Sequence, residues 1–277
     1  MKHWISTWTA RVTLATILAG FVLSSCKKEE DILVDPGTAP ALPPASSFVM
    51  DFSTFPTEQS TNGRLEETKW NYGYAAVNFV LWQSLLSVQL AVPVIAFKAS
   101  FDQEATYIPD EQRWNWSYEV SDGTFAYEAN LFAKPVDGQI NWEMYVSKSG
   151  VYEDFLWFKG TSQFDGLGGN WTVNIEPEKD PREALYIEWT KENDEVASIK
   201  YTITDEKNEN VNSYIMYGKT DGSDFDSFYQ VYIANDENLL KIDYNSETKV
   251  GRVQGSEFKD GTWYCWNSDL IDTDCGI

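Results

Sequence analysis

Histidine is almost missing. The 277 residues hold one, His3, and it lies in a segment read below as an export signal. Without imidazole a chain cannot run a Ser-His-Asp or Cys-His nucleophile, and it cannot build a His-ligated zinc or iron site. Positive charge is scarce as well: 21 Lys and Arg stand against 43 Asp and Glu, a net charge of −22. Such a chain repels phosphate, which excludes nucleic acid as a partner. Cysteine is limited to Cys26, Cys265 and Cys275. None of these falls in a Cys-x-x-Cys pair, so a redox centre has no support. Repeats of fixed period are absent, and so is the strand-helix alternation that a parallel sheet needs. No cofactor is expected.

The first 25 residues have the order of an export signal. Lys2 and Arg11 supply the positive start, and Val12 to Val22 is an apolar run broken only by Thr13, Thr16 and Gly20. Eleven residues are too few to span a bilayer permanently but suit the apolar region of a signal peptide. Leu23-Ser24-Ser25-Cys26 follows. This resembles the bacterial lipobox, a branched apolar residue and two small residues ahead of the cysteine. The resemblance implies that residues 1–25 are a lipoprotein signal peptide and that Cys26 carries a diacylglyceryl thioether with palmitate-type acyl chains. Burial of about 0.8 kcal/mol per CH₂ would then hold the protein on a membrane. Removing 1–25 leaves 43 acids against 19 bases, a charge of −24.

Lys27-Lys28-Glu29-Glu30-Asp31 is similar to the acidic tag of Bacteroidota surface lipoproteins. The likeness implies an outer-membrane, lipid-anchored protein on the cell surface, with the periplasmic face as the alternative. The lipidated cysteine and a Pro-rich tether are expected over 26–47, where Pro36-Gly37, Pro40, Pro43-Pro44 and Ser46-Ser47 discourage regular structure. Residues 27–47 could reach up to ~65 Å at about 3.1 Å each. Outside the cytoplasm the remaining cysteines, Cys265 and Cys275, are expected to form a structural disulfide. So short a loop would add about 2.5–3 kcal/mol on the chain-entropy model.

Residues 48–277 contain no second linker and read as a single β-rich domain. Its helical part is expected at about 73–104. Gly73 to Phe97 holds no charged residue, and its polar side chains do not gather on one helix face. A helix apolar on nearly all sides is expected to be buried on nearly all sides. The rival, a second membrane span, is disfavoured by Asn78, Gln83, Ser84, Ser87, Gln89 and Pro93 within the stretch and by the lack of a basic cluster at its ends.

Beyond Pro109 the period changes. Trp114/Trp116/Tyr118, Ile140/Trp142/Met144, Leu185/Ile187/Trp189, Tyr229/Val231/Ile233 and similar sets alternate with polar residues. This is the pattern of strands with one face in a core and the other in water. Asp122-Gly123, Asp137-Gly138, Asp221-Gly222 and Asp260-Gly261 supply the positive φ that hairpin turns need. About a dozen strands are expected over 112–267. The expected fold is mainly β: a curved antiparallel meander or open barrel with one or two N-terminal helices packed on its concave side. In element order this is similar to the periplasmic lipoprotein carriers and, more distantly, to lipocalins. No residue motif accompanies that likeness, so no functional residue is carried over.

Candidate chemistry is thin. With no histidine, hydrolysis would need paired carboxylates; Asp154 and Glu188 are the acids nearest to apolar surroundings, and an outward strand position accounts for both. Asp221, Asp224 and Asp226, or Asp269, Asp272 and Asp274, could place oxygens for calcium, but neither run has EF-hand spacing. No metal site is expected. Ten of the twelve Trp follow residue 25; most are accounted for by a core, and Trp263 and Trp266 fall on opposite strand faces. The expected function is a non-catalytic binding or carrier module for a small apolar or glycan ligand. A structural or adhesive envelope component and a carboxylate-only hydrolase are the alternatives.

Overall fold

The computed structural model describes residues 37–49, 55, 68–175, 177–192, 195–222, 224–258 and 261–276. Cys26, the lipobox and the acidic run 27–31 lie outside the described residues. Two helices come first, α1 (Trp70–Gln89) and α2 (Ala91–Ala99). Fourteen strands follow: β1 (Thr106–Ile108), β2 (Arg113–Ser121), β3 (Ala126–Val136), β4 (Gln139–Lys148), β5 (Tyr152–Gln163), β6 (Gly168–Ile175), β7 (Arg182–Glu192), β8 (Glu195–Ile203), β9 (Tyr214–Lys219), β10 (Ser227–Ile233), β11 (Asn238–Tyr244), β12 (Gly251–Gln254), β13 (Tyr264–Trp266) and β14 (Asp272–Thr273). They pair antiparallel in chain order as one open, curved sheet.

Alternation decides which face each side chain takes. One inward row runs Ala133–Trp142–Gly160–Trp171–Ile187–Tyr201–Ile215–Val231–Leu240 across nine strands. Because the side-chain period is two, a one-residue slip in any pair would turn this row to water. Tight turns hold the register: at Asp137-Gly138 both residues have positive φ, 49° and 85°, the backbone of a two-residue hairpin. Register shifts at Val146/Lys148, Val173/Asn174 and Thr190/Lys191 add the local twist that bends a long sheet.

The inner face is paved with indoles laid on backbone. A Cβ at Gly160 would sit 2.6 Å from the Trp171 ring, one at Gly169 2.8 Å from Trp189, and one at Gly251 2.2 Å from Trp266. Glycine at these three places is what lets the rings lie flat on the neighbouring strand. Three of the indole N–H groups are matched: Trp142 Nε1 donates to Ser162 Oγ at 2.9 Å, Trp171 Nε1 to Ser47 Oγ at 3.1 Å, and Trp266 Nε1 to the Lys249 carbonyl at 2.8 Å. Those of Trp157 and Trp189 are buried without a hydrogen-bond partner among the described residues.

The helices cross this face. In α1 the buried residues are Tyr72, Ala75, Phe79, Trp82 and Leu86, followed by Leu90, a stripe with spacings of three and four. The helix is not buried all round. One sheet offers one face, so the side of α1 turned from the sheet keeps Val77, Val80, Leu81 and Val88 exposed. Its N-terminus is capped from the far end of the chain. The Asp272 carboxylate accepts from Trp70 N (3.1 Å), Asn71 N (2.9 Å) and the Thr68 hydroxyl, satisfying helix N–H groups that lack intrahelical partners. Cys265 and Cys275 form a disulfide with Cα atoms 5.1 Å apart. It closes the β13–β14 hairpin that carries Asp272.

The stretch expected as tether through residue 47 joins the core earlier. Ser47 and Phe48 are fully buried, and Ala39, Leu42 and Val49 pack against the core. Phe48 stacks on Trp171 at 4.6 Å, and its carbonyl accepts from Tyr201 Oη at 3.0 Å. A ring of that size in the middle of an aromatic cluster gains more from burial than a spacer gains from freedom. Among the described residues, packing against the core therefore starts at Ala39, ahead of 48.

Candidate functional site

A ligand on the concave side would have to displace the protein's own aromatic rings. Phe55 stacks on Phe79 at 4.5 Å, Phe79 meets Tyr229 at 5.0 Å, Tyr72 meets Trp266 at 5.9 Å, and Phe97 meets Trp171 at 5.6 Å. Helix and sheet are joined by rings in contact, which is a packed core.

The outward face of the same strands is different. Its central row runs Asn141–Thr161–Asn170–Glu188–Lys200–Met216–Gln230. Beside it Gly168 faces Thr190, so the surface dips where that position has no side chain, whereas the missing side chain of Gly218, opposite Ser198, is covered by the Phe228 ring. The result is a trough of about 390 Å³ over β5–β9. Tyr186 and Met216 contribute its less polar lining, and Thr161, Asn170, Glu188, Thr190, Ser198 and Lys200 its polar groups. These groups are partly ordered by each other. Asn170 Nδ2 donates to Thr161 Oγ1 at 2.8 Å, and the hydroxyls of Thr190 and Ser198 lie 2.8 Å apart. Lys200 Nζ lies 3.7 Å from Glu188 and 4.6 Å above the Tyr214 ring, which stacks on Tyr232 at 5.3 Å. Burial, and then the charge of Glu188, push the Tyr186 phenol up, so it stays protonated and can donate.

A second cleft, about 430 Å³, opens near the β2–β3 and β4–β5 turns, with Glu119, Glu128, Glu153, Asp154, Lys148, Tyr127 and Tyr152 around it. Its four carboxylates are exposed. Glu119 and Glu128 face each other across β2 and β3 in water, where like charges are screened. Tyr127 Oη donates to Asp122 at 2.8 Å. Burial and that acceptor push the Tyr127 phenol up to about 12. Asp122 is held below the usual carboxylate range by the N–H groups of Phe125 and Thr124 that it caps. This cluster builds the hairpin turn at Asp122-Gly123.

The structure does not bring Asp154 and Glu188 into one cleft: Asp154 sits at the irregular start of β5 with φ 45°, and Glu188 lies in the trough. Both face outward and are exposed. Asp272 serves as the helix cap. Asp226 accepts from Ser246 N and Oγ at 3.1 and 2.7 Å, which joins two turns. Among the described residues no group of three or more His, Cys, Asp or Glu side chains is placed to hold a metal ion. Trp266 is fully buried, whereas Trp263 is half-buried with the Arg252 guanidinium 4.1 Å above it.

No protein-family model, curated sequence or solved structure matches this chain. Of the trough residues only Glu188 was singled out in the sequence, and as a candidate acid, because a binding surface on a sheet exterior uses ordinary outward-facing polar residues. The one usable signal is the Gly168-Gly169 pair: Gly169 seats a ring on the inner face while Gly168 lowers the outer one.

Proposed function

We propose that the chain is an outer-membrane lipoprotein, anchored through acylated Cys26 at the cell surface, that binds a glycan without catalysis in the trough over β5–β9. The observation that carries this reading is the lining of the trough. Amide, hydroxyl, carboxylate and ammonium groups sit in one shallow plane beside a phenol, a set that can donate to and accept from several sugar hydroxyls at once. Tyr186 adds a partly apolar wall for a ring face.

The packed concave side weighs against an internal apolar cargo. Two surface clefts favour an apolar ligand, one of about 290 Å³ lined by Phe48, Val49, Leu86, Leu90, Val94 and Ile95 and one of about 360 Å³ lined by Leu81, Trp82, Leu85, Ile203 and Ile233. A carboxylate-only hydrolase has less in its favour. Its general acid needs a raised pKa, yet among the described residues Asp122, Asp180, Asp205 and Asp226 are held below the usual carboxylate range by the hydrogen bonds they accept. The trough itself holds a single acid, Glu188, where such chemistry needs two.

The test is a glycan array probed with the mature chain, followed by titration of the best hits against Tyr186→Ala and Lys200→Ala. Each substitution is expected to weaken binding about tenfold, ~1.4 kcal/mol, with the thermal midpoint nearly unchanged. An array without hits, or hits indifferent to both substitutions, would remove the trough from the account.

A further inference from the structure

The side of α1 turned away from the sheet is unlike the rest of the surface. Trp70 is 66% exposed, Val77 61%, Val80 51%, Leu81 64% and Val88 79%. Between Lys69 and Lys98 there is no charged residue. Three of the polar side chains on this helix are turned back on it: Asn78 Nδ2 donates to the Tyr74 carbonyl at 2.9 Å, Ser84 Oγ to the Val80 carbonyl at 2.9 Å, and Ser87 Oγ to the Gln83 carbonyl at 2.7 Å. Each thereby satisfies its donor without water. A contiguous apolar patch of this kind marks a contact with something.

Charge, the ends of the patch and the length of chain before the core indicate what that is. On a chain of net charge −22, the segment 69–101 carries only Lys69 and Lys98, both basic. Lys69 stands beside exposed Trp70 at one end of the helix pair and Lys98 at the other, the residue types that settle at a lipid headgroup boundary. Among the described residues no single helix is long and apolar enough to cross a membrane, and the one helix pair that passes by length and composition is bent by 62°, which suits lying on a surface. Twelve residues separate Cys26 from Ala39, a reach of at most roughly 40 Å at about 3.1 Å each. The segment they lead into packs beside α1 and α2, where Phe48 and Val49 share a cleft with Leu86, Leu90 and Val94.

We propose that the exposed face of α1, from Trp70 through Val77, Val80 and Leu81 to Val88, lies in the headgroup layer of the bilayer that holds Cys26. The proposal rests on the lipid-anchor reading above. Docking there turns the helix side to the lipid and leaves the outer face of the sheet, with its trough, away from it.

The mature acylated protein, reconstituted in phosphatidylethanolamine–phosphatidylglycerol vesicles, provides the test. Cysteine is introduced singly by Val80→Cys, Val88→Cys or, as a control on the outer face of β5, Lys159→Cys, and each is nitroxide-labelled. Docking is expected to lower collision of the labels at 80 and 88 with an aqueous nickel chelate about tenfold and to raise collision with oxygen, leaving the label at 159 unchanged. A Val80→Glu/Val88→Glu background, whose near-UV spectrum shows whether the fold is kept, should abolish the shielding seen at Leu81→Cys. Labels at 80 and 88 as wet as the control would overturn docking. So would shielding that is equal without vesicles, because a second copy would then cover the face. Mass spectrometry of the mature N-terminus separates the two readings. Acyl chains on Cys26 with wet labels would refute docking alone. An unmodified Cys26 would refute the anchor, and the labels, read with vesicles added, would still decide docking.

Discussion

The two faces of the sheet are made by the same strands and differ in every respect that concerns function. The inner face holds Trp142, Trp171, Trp189 and Trp266, all buried, three of them laid over glycines. The outer face holds single-sign and mixed charges, amides and hydroxyls, with aromatic rings such as Tyr214 and Tyr232 stacked in pairs. A high aromatic content therefore says little about binding in this molecule. Most of the large rings are spent on closing a curved sheet over two helices. What remains free to meet a ligand is the polar complement of each strand.

Substitutions can break this contrast, and the largest effect belongs inside. Trp171→Ala should cost about 4 kcal/mol, because it empties the space between Phe48, Phe97 and Phe158; urea unfolding measures it. Reducing the Cys265–Cys275 disulfide should cost about 3 kcal/mol on the chain-entropy model, read as a lower thermal midpoint in reductant. Asp272→Ala should cost about 1 kcal/mol by uncapping α1, and amide exchange should quicken in its first turn. If either of these last two leaves α1 unaffected, the tail does not hold the helix as described.

Acid sharpens the same comparison. Asp205 is 6% exposed and accepts from Arg182 Nε and Nη2, each at 3.0 Å; that guanidinium holds its carboxyl below the usual range. A group lowered by folding stabilises above its unfolded value, about 3.9, and the contribution fades as pH falls through the folded value. Wild type should lose stability below about pH 4 more steeply than Asp205→Asn. The smallest effect belongs to the outer face. Lys200→Ala should shift stability by less than about 0.5 kcal/mol, and a larger loss would make the trough part of the scaffold.

The meander was legible because strand alternation and Asp-Gly turns are local signals: the inner residues of β4 and β7, Ile140, Trp142, Met144 and Leu185, Ile187, Trp189, fall where period two puts them. Two short strands, β1 and β14, were not, since two or three residues give no period. The buried stripe of α1 was hidden for a different reason. Its opposite side is also apolar, so the contrast on which periodicity depends cancels. Nor could sequence place Asp272 at Trp70 and Asn71, about 200 positions away. The stretch up to 47 read as spacer because Pro40, Pro43 and Pro44 discourage regular structure, whereas Ala39, Leu42 and Ser47 pack against the core ahead of Phe48. The trough was the least legible part, since it is set by which outward residues adjacent strands bring together.

Native mass spectrometry of the mature protein, released gently from the membrane, tests most directly whether the inner face is closed by the chain's own side chains. The account predicts a mass equal to the polypeptide with one disulfide and the acyl groups on Cys26, with nothing further retained. A stoichiometric apolar molecule that survives isolation and leaves only on unfolding would contradict it.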